Sequence, residues 1–180
     1  MGRTLRLLAR LSLAFGLAGC ASEKRAAAPP ELAPPPPFAA PVGPAASTAN
    51  FVATNGSIDL FVIRSSELAL RRSASPRLRD FAARMIEEHK GTSSQLSLAG
   101  RRLNLLPSAS LQPAHQAMLD ALASSTSFDA DYVRDQRTVH QDAIALDSAF
   151  AAKGGSPTLK PVATAALLIE QRHLRRLAYL

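Results

Sequence analysis

Residues 75–96, SPRLRDFAARMIEEHKGTSSQL, decide the fold. Ser75 stands before Pro76, the order in which an N-cap hydroxyl precedes a proline at the first helical position. Leu78, Phe81, Ala82, Met85, His89 and Leu96 then recur at spacings that place them along one helix face. The same spacing appears upstream in Ile58, Phe61, Val62, Ser65, Leu68 and Ala69. Downstream it returns in a short segment (Leu111, His115, Met118, Leu122) and in a long one (Phe128, Tyr132, Gln136, Val139, Ala143, Leu146, Phe150). A last segment holds Leu159, Val162, Ala166, Ile169, His173 and Leu177, and no stretch alternates with period two long enough to be a strand.

Breakers separate these segments at Pro76, at 104–113, at 124–127 and at 154–157. SPTLK at 156–160 echoes SPRLR at 75–79, so each is read as the capped start of the second helix of a hairpin. Two hairpins joined by a crossover with a short extra helix predict an all-α, ferritin-like four-helix bundle over residues 51–180. Apolar residues make up 47% of the chain and aromatics only 5%, a composition that suits close-packed helices better than a β-sandwich.

The amino terminus reads as an address. Residues 1–20, MGRTLRLLARLSLAFGLAGC, have arginines at 3, 6 and 10, an apolar run from Leu11 to Ala18, and small residues before the chain's single cysteine. That run is shorter than the ~18–20 residues needed to cross a bilayer. Leu17-Ala18-Gly19-Cys20 resembles the lipobox of bacterial lipoproteins. The resemblance implies removal of residues 1–19, a diacylglyceryl group on the Cys20 thiol, and a fatty acid such as palmitate on the new amino terminus. Ala21, where an Asp would signal retention, points to the outer membrane, with the domain facing the periplasm. Residues 20–50 follow as a disordered tether, since 26–46 carry eight of the thirteen prolines. Some thirty residues of polyproline II at ~3.1 Å each would reach roughly 90 Å.

The net charge of +7 falls to +4 once Arg3, Arg6 and Arg10 are removed, and the remaining basic residues alternate with acids. Nucleic acid is therefore not an expected partner. The membrane, through the anchor, is one; an envelope protein or cell-wall polymer is the other.

All four histidines, His89, His115, His140 and His173, fall on or beside an apolar stripe. Glu170-Gln171-Arg172-His173 is a Glu-x-x-His pair, which sets both side chains on one helix face a turn apart. The second such pair of a di-iron bundle is missing, because Glu87-Glu88-His89 places its carboxylates beside the histidine, not a turn before it. The expectation is thus of structural histidines, each bonded to a carboxylate, a carbonyl or water, with no cofactor. The alternative is a zinc, copper or iron site on His89, His140, Glu170 and His173, oxidoreductase-like in kind. No phosphate loop, nucleophile elbow or haem motif is present, so a binding or structural role is expected rather than catalysis.

Phe61-Val62-Ile63-Arg64-Ser65-Ser66, the Phe81-Ala-x-x-Met-Ile-x-x-His89 run, Val139-His140-Gln141-Asp142-Ala143 and His173-Leu174 together resemble the exported bacterial family called domain of unknown function 4142. The resemblance covers about residues 50–178. It implies a ferritin-like bundle behind a signal peptide, with His89, His140 and His173 at family-pattern positions and His115 a looser fit. No activity is established for that family. Its first helix often carries an acid where this chain has Val62, which counts against convergence of the histidines on an ion.

Overall fold

A computed structural model describes residues 47–180, and all the regular secondary structure among them is helical. The expected signal segment, Cys20 and the tether up to residue 46 lie outside the described residues. Five helices follow one another: α1 (Thr48–Arg72), α2 (Pro76–Arg101), α3 (Pro113–Ser124), α4 (Phe128–Lys153) and α5 (Lys160–Leu177). α1 lies along α2 and α4 along α5. The hairpins meet where α1 packs on α4 and α2 on α5, while α3, in the crossover, rests on α1 and α4. This is the ferritin-like four-helix bundle with one long crossover. Among the described residues no helix is long and apolar enough to cross a membrane.

Local signals set the helix ends, with two differences from the sequence reading. Ser75 caps α2 as expected, its hydroxyl accepting from Leu78 N ahead of Pro76. α1 starts at Thr48, earlier than the expected residue 51, because the Ser47 hydroxyl accepts from Asn50 N. Ser156 does take the Leu159 amide at 3.3 Å, but residues 157–159 form a turn and α5 proper begins at Lys160. The Arg72 guanidinium donates to the carbonyls of Leu122, Ala123 and Ser125, where α3 ends, and stacks over the Phe128 ring at 4.6 Å.

The crossover reaches α1 through two close contacts. Pro107 sits where a side chain at Gly56 would be, the hypothetical Cβ lying 2.5 Å from its ring. The Ser57 hydroxyl meets His115 Nδ1 at 2.7 Å and accepts from Gln112 N at 2.8 Å.

The bundle core is apolar at both ends and polar in the middle. At one end Phe51 of α1 stacks on Phe150 of α4, ring centroids 3.8 Å apart. At the other, Tyr132 packs against Phe81 and Phe128 and its hydroxyl meets Ser66 Oγ at 2.8 Å. Every stripe residue expected on α4 is buried. On α5 the inward face is turned only partly from the expected one, since Leu159, His173 and Leu177 are buried as expected. Ala163, Glu170, His173 and Leu177 are buried, whereas Val162, Ala166 and Ile169 are half-buried. Glu170 stands one turn before the buried His173, which points its carboxyl into the bundle.

Candidate metal centre

Three of the four bundle helices supply the donors of the polar middle layer, and α1 supplies Asp59 behind one of them. α2 presents His89, α4 presents His140, and α5 presents Glu170 and His173 one turn apart. All four are buried, and one donor atom from each lies within 4.8 Å of the others. His140 Nε2 is 3.2 Å from His173 Nδ1 and 3.5 Å from Glu170 Oε2. Glu170 also stands 3.9 Å from His173 Nδ1 and 3.9 Å from His89 Nε2. Two ligand atoms on a tetrahedral ion at ~2.0–2.1 Å are roughly 3.3–3.5 Å apart. The His140–His173 and His140–Glu170 separations already match that spacing, while the wider ones, up to 4.8 Å, must shorten for all four donors to hold one ion.

The far nitrogen of every ring is held from behind. His89 Nδ1 meets Asp59 Oδ1 of α1 at 2.9 Å, and Thr92 Oγ1 donates to the same oxygen at 2.7 Å. His140 Nδ1 donates to the Gln136 carbonyl at 2.6 Å. His173 Nε2 meets Glu88 Oε2 at 2.8 Å, and Glu88 is itself held by Arg172 and Arg176. Carbonyl and carboxylate oxygens accept, so the ring proton of each neutral imidazole belongs on the far nitrogen. The near nitrogens then all present lone pairs, and so does Glu170. Lone pairs facing one another in a dry interior repel unless a cation sits between them. His89 Nε2 and Glu170 Oε2 accordingly have no hydrogen-bond partner.

The protonation preferences follow from burial and mutual charge. Burial, helped by the neighbouring His89 and His173, holds His140 well below the ordinary imidazole range. Burial first, and His89 second, lower His173 to about 4, although Glu88 pulls the other way. Glu170 is pushed up to about 7, chiefly by burial; His89 pulls the other way, and the negative charges of Asp59 and Glu88 add to the rise. For His89, burial opposes protonation, but Glu170 and the Asp59 hydrogen bond outweigh it and raise its pKa. His140 and His173 thus stay neutral.

The expectation that the histidines would not converge is corrected here. Val62 is indeed buried and apolar. The first helix supplies its carboxylate from Asp59 instead, close to one turn earlier on the same face, and uses it behind a ligand. Glu88, set aside for its position beside His89, reaches across to α5 from α2. The other half of the expectation holds, since each of the three rings does have its carboxylate or carbonyl partner. His115 lies apart, between α3 and α1 against Phe61, and takes no part in the cluster. Asn55, Asp59 and Asp147 were not singled out from the sequence. The available signal was polar residues on the inward stripe, Asn55 a turn before Asp59 and Asp147 two turns after His140.

Fold and site together define a ferritin-like helical bundle with a buried three-histidine, one-glutamate donor set at mid-height. The chain belongs to the family described as Domain of unknown function (DUF4142), which matches residues 33–180. Among solved structures it is similar to CopM in the Cu(I)-bound form, with a TM-score of 0.62 at 17% identity, covering 74% of this chain and 94% of that one. It is likewise similar to a DUF305 fragment from Deinococcus radiodurans, with a TM-score of 0.63 at 16% identity, covering 72% and 91%. At these identities the likeness is one of fold. No curated protein matches the chain.

Proposed function

We propose that this protein is a lipid-anchored envelope protein whose bundle binds a transition-metal ion, copper foremost, through His89 Nε2, His140 Nε2, His173 Nδ1 and Glu170. The observation that carries this reading is the orientation of three buried rings, each with its far N–H engaged and its near lone pair aimed at the others and at Glu170. Imidazole with one carboxylate suits copper and zinc, and copper(II) heads the affinity order of the divalent metals. Support comes also from CopM, a protein of the same fold solved in Cu(I)-, Cu(II)- and Ag-bound forms. The ion would neutralise the facing lone pairs, while Asp59, Gln136 and Glu88 keep the rings oriented. Enclosure of all four side chains favours holding the ion over presenting it to a substrate.

The test is metal content. Protein purified without chelators and loaded with copper should carry about one ion per chain through gel filtration. Loss of all copper on the column would refute the reading.

Binding should weaken with acid. A protonated Glu170 cannot ligate, and its carboxyl titrates near 7. Below that pH the apparent affinity should fall up to about tenfold per unit for each proton that must leave. Above it, the Glu170 contribution should level off. Copper titrations between pH 5 and 8 read this slope, and a flat profile would remove Glu170 from the ligand set.

The anchor rests on the reading of residues 17–20, with the domain facing the periplasm from the outer membrane. Cys20→Ser should abolish fatty-acid labelling and release the protein from the membrane fraction. Unlabelled wild-type protein would refute the anchor.

A further inference from the structure

The four donor side chains are sealed from solvent, the three rings at 0% exposure and Glu170 at 3%. An ion therefore needs a way in. A cavity of about 10 Å³, room for one water-sized particle, lies against Glu170, which thus borders both the cavity and the histidine cluster. Its inner wall also carries Asp59 and Thr92, the pair behind His89. Of the other lining residues, Gln95 of α2 is exposed, and Val162 and Ala166 of α5 are half-buried. The cavity therefore reaches solvent between α2 and α5. Ala166 stands one turn before Glu170, and its single methyl leaves the approach to the carboxyl unfilled.

No basic side chain lines this path. The approach past His173 differs. There Glu88 covers the ring's Nε2, and the Arg172 and Arg176 guanidiniums, 45% and 40% exposed, meet an incoming cation first. The His173 donor, Nδ1, lies on the other side of the ring from that surface.

We propose that the metal ion enters and leaves through the seam between α2 and α5, by way of this cavity, and that Glu170 is the first donor it meets. The inference rests on the metal-binding reading above and adds its route. The route sets rates and not affinity. A barrier crossed in both directions changes association and dissociation by the same factor, so closing the path leaves Kd as it was.

The experiment is stopped-flow mixing of the full chain in detergent with Cu²⁺, then release of the bound ion to excess chelator, with circular dichroism as the check on fold. Ala166→Phe, which puts a ring in the mouth, should slow both steps about tenfold or more, since exchange must then wait for local opening of the helices. Val162→Ala, which widens the mouth, should speed both steps, a result that does not depend on Ala166→Phe folding. Each variant should keep the wild-type Kd. Unchanged rates in both variants, or faster release from Ala166→Phe, would overturn the route and leave the metal centre standing. No copper bound to wild type would overturn the metal centre itself.

Discussion

His173→Ala is expected to lower copper affinity by more than about 100-fold, because loss of an outer partner alone typically costs 10–100-fold. The substitution removes the Nδ1 donor that stands 3.2 Å from His140 Nε2. It also unlinks the cluster from Glu88, which remains tied to Arg172 and Arg176 and keeps its place at the surface. The defect should thus be local, leaving circular dichroism unchanged. Asp59→Asn tests the layer behind. Its amide oxygen can still accept from His89 Nδ1, without the negative charge, so a loss toward the ~10-fold end is expected. A competition titration with a chromophoric copper chelator ranks the three proteins. Equal affinity of wild type and His173→Ala would remove this histidine from the site.

Phe81→Ala is expected to destabilise the domain by ~3–5 kcal/mol, the usual cost of deleting a fully packed ring. The side chain is 5% exposed, and its ring meets Tyr132 edge-on at 6.4 Å. Tyr132 is held in turn by Ser66, so the void opens between fixed neighbours and has little freedom to collapse. Leu98→Ala on the same helix is the control. At 61% exposure it should change stability by no more than about 0.5 kcal/mol. Urea unfolding of the metal-free domain measures both, and a Phe81→Ala effect below about 0.5 kcal/mol would mean that α2 turns another face to the core.

The helices and most of their inward faces were legible because both are local properties. A cap, a proline and a 3.6-residue period act within one or two turns, so Ser75-Pro76 and the stripes of α2 and α4 can be read from neighbours in the chain. α5 was legible in extent but only partly in rotation. Val162 and Ile169 look like better core residues than Ala163 and Glu170, and only packing against α4 and α2 turns Glu170 inward. Asp59 was missed for a related reason: a carboxylate on an apolar stripe reads as a blemish until the residue opposite it is known.

The candidate ligands could be named from the sequence, but whether they meet could not. A histidine on a helix stripe has the same local signature whether it ends against a carbonyl or against three other donors. His89, His140 and His173 share one height because α1 with α2, and α4 with α5, settle at particular axial offsets, and those offsets come from the whole apolar interface, stacked rings at one end included. A slip of one turn, about 5.4 Å, would keep every helix and every stripe yet pull the donor atoms out of reach of one another. Segment identity, capping and the donor inventory were thus determined by the sequence itself. Convergence and the acceptors behind His89 and His173 were decided only by tertiary packing, because they depend on distances between residues 30 to 85 positions apart.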